Sequence, residues 1–284
     1  MKLRKIRSFG VISKDSDNTA RKTALDIAKT LHNSGFNIKL ISPLTSTFPS
    51  ISLSDKNLDI DCVISVGGDG TILKASRLLS KQIPIIGIHK GGKGILTELK
   101  PKDLPILIDQ INNNNYFIDR RKRISASSQS NTPIKSLNEI YVERSEKLRA
   151  ITYEIKLNRN VIKNRMDGLI ISTPTGSTGY SLSSGGPILS PNTKTWVLNP
   201  IAPHNINVRP LIISDSSNIK ISVKGKGENF LLSLDSRIFT LKNGNEIFLK
   251  KASFNVKTVE LKGDFFFKTL REKLFWGKDQ RNTQ

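Results

Sequence analysis

Four short runs rich in valine and isoleucine, FGVIS, NIKLIS, DCVISV and IPIIGI, recur through the first 90 residues of the chain. Between the first two, Ala20, Ala24, Ile27, Ala28 and Leu31 fall at helical spacing. That spacing predicts an amphipathic helix, with Thr19 as its N-cap and Gly35 as its stop. A loop rich in Ser, Pro and Thr, SPLTSTFPSISLS, leads to the third run, and GTILKASRLLS predicts a helix after it. Strands that alternate with helices pair in parallel, with the helices covering the faces of the sheet.

The pattern changes near Pro101. Leu104 to Ile111 predicts a short helix that ends in the polar run Asn112 to Asn115. Beyond it the chain reads mostly as strands: YFIDRRKRISA, LNEIYVE, AITYEIKLN, GLIIST, PLIIS, NIKISVK, NFLLSL and EIFLK. Such a run predicts an antiparallel β domain, sandwich-like in architecture. The last stretch, DFFFKTLREKLFWGK, returns to helical spacing, with Phe266, Leu270, Leu274 and Phe275 on one face that must dock on something. The expected division is an α/β domain over 1–100, a β-rich domain over 101–255, and a segment over 256–284 that returns to the first domain.

Composition narrows the function classes. Hydrophobic residues make up 37% of the 284, enough for a core. No run of about 20 apolar residues is present, so no membrane-spanning helix is expected. The basic start MKLRKIRSFGVISKDS is interrupted by Arg7, Ser8 and Lys14, and reads as a first strand rather than a signal peptide. A single cysteine, Cys62, excludes an internal disulfide and fits a reducing cytoplasm. His32, His89 and His204 are far apart, so no fixed metal site is expected from a Cys/His cluster. The net charge of +21 suits polyanionic partners. RNA-recognition aromatics, zinc fingers and a basic-leucine pattern are all missing from the sequence, which disfavours nucleic acid as the main partner.

Two stretches carry chemistry. In VGGDGT a strand ends at Val66, and Gly67, Gly68 and Gly70 surround Asp69 before a helix begins. Glycines let backbone approach a phosphate, and N–H groups at a helix start favour anions. An acid there fits removal of a proton from an attacking hydroxyl, or a hold on Mg²⁺. It equally fits a tight turn in which Asp69 caps the helix. Nearby, Gly87, Gly92 and Lys93 match most of a P-loop, but Gly94 stands where Ser or Thr should bind Mg²⁺. A glycine-rich turn lining a ligand cleft is the better reading, with His89, Lys90 and Lys93 facing anions or solvent. The second stretch, DGLIISTPTGSTGYSLSSGGPILSP, runs from Asp167 to Pro191. Its hydroxyls can bond sugars and phosphates, and Tyr180 offers an aromatic face. In LNEIYVE, Asn138 and Glu139 are adjacent, and strand geometry would point them to opposite faces.

These pieces, with PIIGIHKGGKGILTEL, IAPHNINVRPLIISDSS and the terminal LREKLFW, resemble the NAD kinase family, in family order from about residue 61 onward. GGDG alone is shared with lipid kinases and phosphofructokinases; the Asp167–Pro191 stretch is the family-specific part. The resemblance implies transfer of the γ-phosphate of ATP, or of polyphosphate, to the 2′-hydroxyl of the adenosine ribose of NAD. Mg²⁺ or another divalent metal would accompany ATP, and the chain would form a homodimer or homotetramer. Carried over, Asp69 is the general base, Gly68 and Gly70 approach the dinucleotide, and Lys74 meets phosphate. Asn138 and Glu139 hold the ribose and adenine region. Asp167 recognises one end of the dinucleotide, with Arg165 and Arg149 near its phosphates. Thr178, Gly179, Tyr180, Ser181, Leu182 and Ser183 line the pocket. Three positions depart from the family pattern: His89 where Asn is frequent, Gly179 for Ala, and Arg237 for a substrate-contacting Gln. The rival classes are a lipid-type kinase sharing GGDG and a non-catalytic, basic nucleotide-binding protein.

Overall fold

The computed structural model describes residues 5–41, 44–54, 58–79, 81–91, 94–128, 133–145, 151–224, 229–261 and 265–277. The chain divides into two compact units, residues 1–120 with 256–284 and residues 121–255. The sequence reading placed the first boundary at residue 100. The compact unit runs on to Arg120 because the next helix and strand pack into the first core.

The first unit begins with β1 (Ser8–Ser13), α1 (Asn18–Asn33), β2 (Asn37–Ile41), β3 (Ser50–Ile51), β4 (Cys62–Val66), α2 (Asp69–Leu78) and β5 (Ile85–Ile88). It continues with α3 (Leu104–Asn112) and β6 (Phe117–Arg121). Asp17, not Thr19, caps α1: its carboxylate accepts from the N–H groups of Thr19 and Ala20, both at 2.9 Å. Thr19 already lies within the helix, and its hydroxyl donates to the same carboxylate. The expected apolar face is buried as a set: Ala20, Ala24, Ile27, Ala28 and Leu31. Every residue of β4 and β5 is buried, as expected for strands covered on both faces.

Among the described residues, the second unit holds twelve strands. They are β7 (Ile124–Ser128), β8 (Ile134–Ser136), β9 (Glu139–Arg144), β10 (Ile151–Leu157), β11 (Asn160–Met166) and β12 (Gly168–Ser172). After the helical turn α4 (Tyr180–Ser183) come β13 (Thr195–Ile201), β14 (Leu211–Ser214), β15 (Ile219–Lys224), β16 (Asn229–Leu234), β17 (Arg237–Lys242) and β18 (Glu246–Lys251). One sheet has the order β11-β10-β15-β18-β7-β8 and the other β14-β13-β12-β9-β16-β17. Tyr153, Ile155 and Ile221 from the first share one core with Ile140, Ile171, Trp196 and Phe230 from the second, so the sheets form a sandwich.

The chain then returns to the first unit as β19 (Val256–Glu260) and α5 (Phe265–Lys273). β19 pairs in parallel with β5, giving a seven-stranded sheet of order β3-β2-β1-β4-β5-β19-β6. On α5, Thr269 and Leu270 are buried, while Phe275 lies beyond the helix at positive φ and is exposed. The expected apolar face therefore loses its last member.

Candidate active site

In the first unit, the sheet order reverses direction between β1 and β4. Open parallel sheets bind ligands at such a switch point, outside the carboxyl ends of the strands. A cleft of about 380 Å³ lies there, lined by Lys14, Asp15, Ser16, Gly68, Gly70, Thr71 and Lys74. Lys74, expected to meet phosphate, is ion-paired with Asp15 on this wall.

Asp69 does something other than cap its own helix. Gly68 is the N-cap of α2, and no side chain caps it. The Asp69 carboxylate instead reaches the bend after β5, where it accepts from the N–H groups of Ile95 at 2.6 Å and Leu96 at 2.9 Å. The Thr97 hydroxyl lies 3.5 Å away. Gly94 makes this possible. A Cβ there would fall 1.9 Å from Thr97 Oγ1 and 2.5 Å from Asp69 Oδ1. The Ser or Thr of a P-loop would therefore collide with the carboxylate. Gly92 and Lys93 lie outside the described residues. His89 is buried, and burial, with Lys273 and Lys100 nearby, holds its imidazole below the usual histidine range.

In the second unit, Asn138 and Glu139 do not diverge as strand alternation predicts. Asn138 sits in a bend, and β9 begins only at Glu139, so period-two geometry does not apply to the pair. An ideal Cβ on Gly179 would lie 3.2 Å from Glu139 Oε2 and 3.7 Å from Asn138 Nδ2, so both side chains reach the same place. Two buried acceptors, Asn138 Oδ1 and Glu139 Oε2, have no hydrogen-bond partner. Orphaned buried acceptors are costly, and a ligand rich in donors relieves them. Burial and then the charge of Asp235 push the Glu139 carboxyl up to about 7.

Asp235 builds this bend. It is buried in the turn between β16 and β17, where Asp235 and Ser236 both have positive φ. Its carboxylate accepts from Leu137 N at 2.7 Å, Asn138 N at 2.8 Å and Ser136 Oγ at 2.5 Å. The Thr173 N–H donates to Asn138 O at 2.9 Å. A Cβ on Gly176 would lie 2.1 Å from that same oxygen, so only glycine fits. The role of Asp235 escaped the sequence reading, although a polar pair between NFLLSL and RIFTLK is a hairpin-turn signal.

The loop residues divide by role. The Ser181 backbone oxygen accepts from Asn199 Nδ2 at 2.9 Å, and the residue is fully buried, so it shapes the loop. Thr178 Oγ1 donates to Thr175 O at 3.2 Å. Leu182 is half-buried and Ser183 exposed. Tyr180 is exposed and meets Tyr141 edge-on at 5.2 Å between ring centroids. Asp167 pairs with Arg144, Nη1 to Oδ1 at 3.3 Å, and Arg165 is exposed on β11. Register places Asp167 at the far end of the β9–β12 ladder from Glu139, because Gly168 faces Glu143 while Ser172 faces Glu139. That separates the two acids by roughly 13 Å or more along the strand. Arg149 lies outside the described residues. The Arg237 guanidinium donates to the backbone oxygens of Lys135 at 3.0 Å and Leu234 at 3.3 Å. Among the described residues, no three His, Cys, Asp or Glu side chains converge as a metal cage, and no helix is long and apolar enough to cross a membrane.

The chain is similar to known proteins along most of its length. The family model for the ATP-NAD kinase N-terminal domain matches residues 52–116, and that for the ATP-NAD kinase C-terminal domain matches 137–261. The chain is 42% identical over 251 residues to an NAD kinase of Flavobacterium johnsoniae, covering 86% of this chain and 85% of the relative. It is 35% identical over 282 residues to one of Prosthecochloris aestuarii, covering 96% and 99%. An NAD kinase from Archaeoglobus fulgidus, solved in complex with ATP, aligns with a TM-score of 0.75 at 26% identity, over 93% of this chain and 98% of that one. Yeast NADH kinase, solved with NADH, aligns at 0.88 over 99% and 91%, and at 22% identity speaks for the fold. With its acid held at the end of β4 and both family domains matched in order, the chain belongs to the NAD kinase family.

Proposed function

We propose that Asp69 is the general base in ATP-dependent phosphorylation of NAD to NADP, the reaction of the family to which this chain belongs. The supporting observation is the Asp69 carboxylate itself, held by two backbone N–H groups instead of capping its helix. A base must be fixed within reach of the proton it takes. In the reaction, the 2′-oxygen of the adenosine ribose attacks the γ-phosphorus. The new O–P bond forms as the bond to the β-phosphate oxygen breaks, ADP leaves, and Asp69 receives the hydroxyl proton.

Gly68, Gly70 and Lys74 would meet phosphates at the switch-point cleft, with Lys74 exchanging Asp15 for the ligand. Asn138 and Glu139 would accept the hydroxyl protons of a ribose, which would satisfy their orphaned oxygens. Tyr180 offers an exposed ring to a base, and Asp167 with Arg165 and Arg149 the far end of the dinucleotide. Arg237, standing in place of Gln, would act through the backbone it holds at Lys135 and Leu234. Mg²⁺ or another divalent ion would enter with ATP and reduce the charge on its phosphates. Asp15, released as Lys74 turns to the ligand, would be the cleft carboxylate to hold it. A cytoplasmic location and a homodimer or homotetramer belong to the same reading.

The test is direct. Pure protein incubated with NAD, ATP and Mg²⁺ should form NADP. No NADP, with phosphate instead appearing on a lipid acceptor, would favour the lipid-kinase rival.

A further inference from the structure

The bend that holds Asp69 is met by the returning chain. The bend runs from Gly94 to Thr97, and its far side is fixed by His89 N to Leu99 O at 2.8 Å and Leu99 N to Gly87 O at 3.3 Å. Two further tethers come from the returning chain. Leu261 N donates to Glu98 Oε2 at 3.2 Å, and Lys273 Nζ donates to Thr97 O at 3.5 Å. Lys273 is the last residue of α5, half-buried, on a helix whose Thr269 and Leu270 are buried.

We propose that Lys273 is a positioning residue for phosphoryl transfer: its ammonium grips the carbonyl of Thr97 and so fixes the bend whose N–H groups hold Asp69. This rests on the reading of Asp69 as the base. The charges around the ammonium agree with it. Burial pushes the Lys273 amine below the usual lysine range, with Lys268 acting the same way, while Asp69, Glu272 and Glu98 pull it back. A partly desolvated cation near Asp69 also offsets negative charge where phosphates arrive. Neutral backbone donors hold the carboxylate; the charged donor on the same bend, at 3.5 Å, adds a long contact and a compensating charge.

The experiment compares Lys273→Met, Lys273→Arg, Asp69→Asn and the double variant Asp69→Asn/Lys273→Met, measuring kcat and KM for NAD and ATP, with thermal unfolding as a control. Lys273→Met should lower kcat by about tenfold to a hundredfold, the scale of a misplaced catalytic group. KM for NAD should stay within about twofold, since binding of that substrate rests on other residues. Lys273→Arg should recover most of the loss. In the double variant, Lys273→Met should add little to Asp69→Asn, because the two act as one unit. If Lys273→Met does not fold, Lys273→Gln is judged by the same split. Wild-type kcat in the Lys273 variants beside a crippled Asp69→Asn overturns this inference alone. So does a raised KM for NAD with kcat unchanged, or full additivity in the double variant. Wild-type kcat in Asp69→Asn overturns the reading of the base itself.

Discussion

Two acids, one in each unit, are held in opposite ways. Asp69 is satisfied: Ile95 and Leu96 donate to its two oxygens, and Gly94 is kept bare to admit it. Glu139 is incomplete: one oxygen is buried without a partner, beside a second buried carboxylate, Asp235. A group that must take a proton at a set position gains from fixed donors. A group that recognises a ligand gains from donors it lacks until the ligand brings them. The contrast predicts that the first acid governs turnover and the second governs binding of the hydroxyl-bearing substrate.

The contrast can be broken most sharply at Gly94. Gly94→Ala drives a methyl into Thr97 Oγ1 and Asp69 Oδ1. We expect kcat to fall roughly a hundredfold, as for a 1 Å misplacement, with KM for NAD little changed. Steady-state kinetics with each substrate varied would decide it, and an unchanged kcat would mean the carboxylate's position is immaterial. Glu139→Gln should do the reverse. Loss of a charged acceptor costs about 1.5–3 kcal/mol, so KM for NAD should rise roughly tenfold to a hundredfold, with KM for ATP unchanged. Equal damage toward both substrates would make Glu139 a folding residue.

Asp235→Asn sharpens the comparison further. It weakens charged bonds to Leu137, Asn138 and Ser136. Urea unfolding should show a loss of about 1–2 kcal/mol, and KM for NAD should rise several-fold with kcat kept. A fall in kcat alone would contradict the division of labour. The smallest effect is on pH. Burial and the charge of Asp235 hold the folded Glu139 carboxyl up at about 7, so its window runs from the usual carboxylate range to there. The folded state therefore binds the extra proton inside that window, and stability falls as pH rises through it. Above about 7 the carboxylate is charged and the full cost is present. Glu139→Gln should abolish this slope, so urea midpoints of the two proteins should diverge across the window in the variant's favour. Parallel midpoints would show that Glu139 is not buried as described.

Much of this was legible in the sequence, where the signal is local. The Val- and Ile-rich runs marked β1, β2, β4, β5 and β12, and helical spacing marked α1 and its buried face. GGDG marked the end of β4. What escaped is non-local. β19 joins the first sheet beside β5 after some 170 residues of intervening chain, and VKTVE carries no strong apolar run. The polar strands β11 and β17 owe their structure to partners across the sheet. Asp235 reaches Leu137 from 98 residues away, and Asp69 meets Ile95 across 26. Asn138 was misplaced because a bend ends where the strand pattern seemed to begin.

The division between the two acids rests on Asp69 more than on any other residue. Asp69→Asn keeps size but loses the base, and its amide can accept from only one of the Ile95 and Leu96 N–H groups. NADP formation by this variant, measured alongside NAD binding by calorimetry, is the direct test. The account predicts turnover lower by roughly a hundredfold or more, the usual range for loss of a general base, with the dissociation constant for NAD within a few-fold of wild type. Turnover near that of the wild type, or NAD binding lost together with turnover, would contradict it.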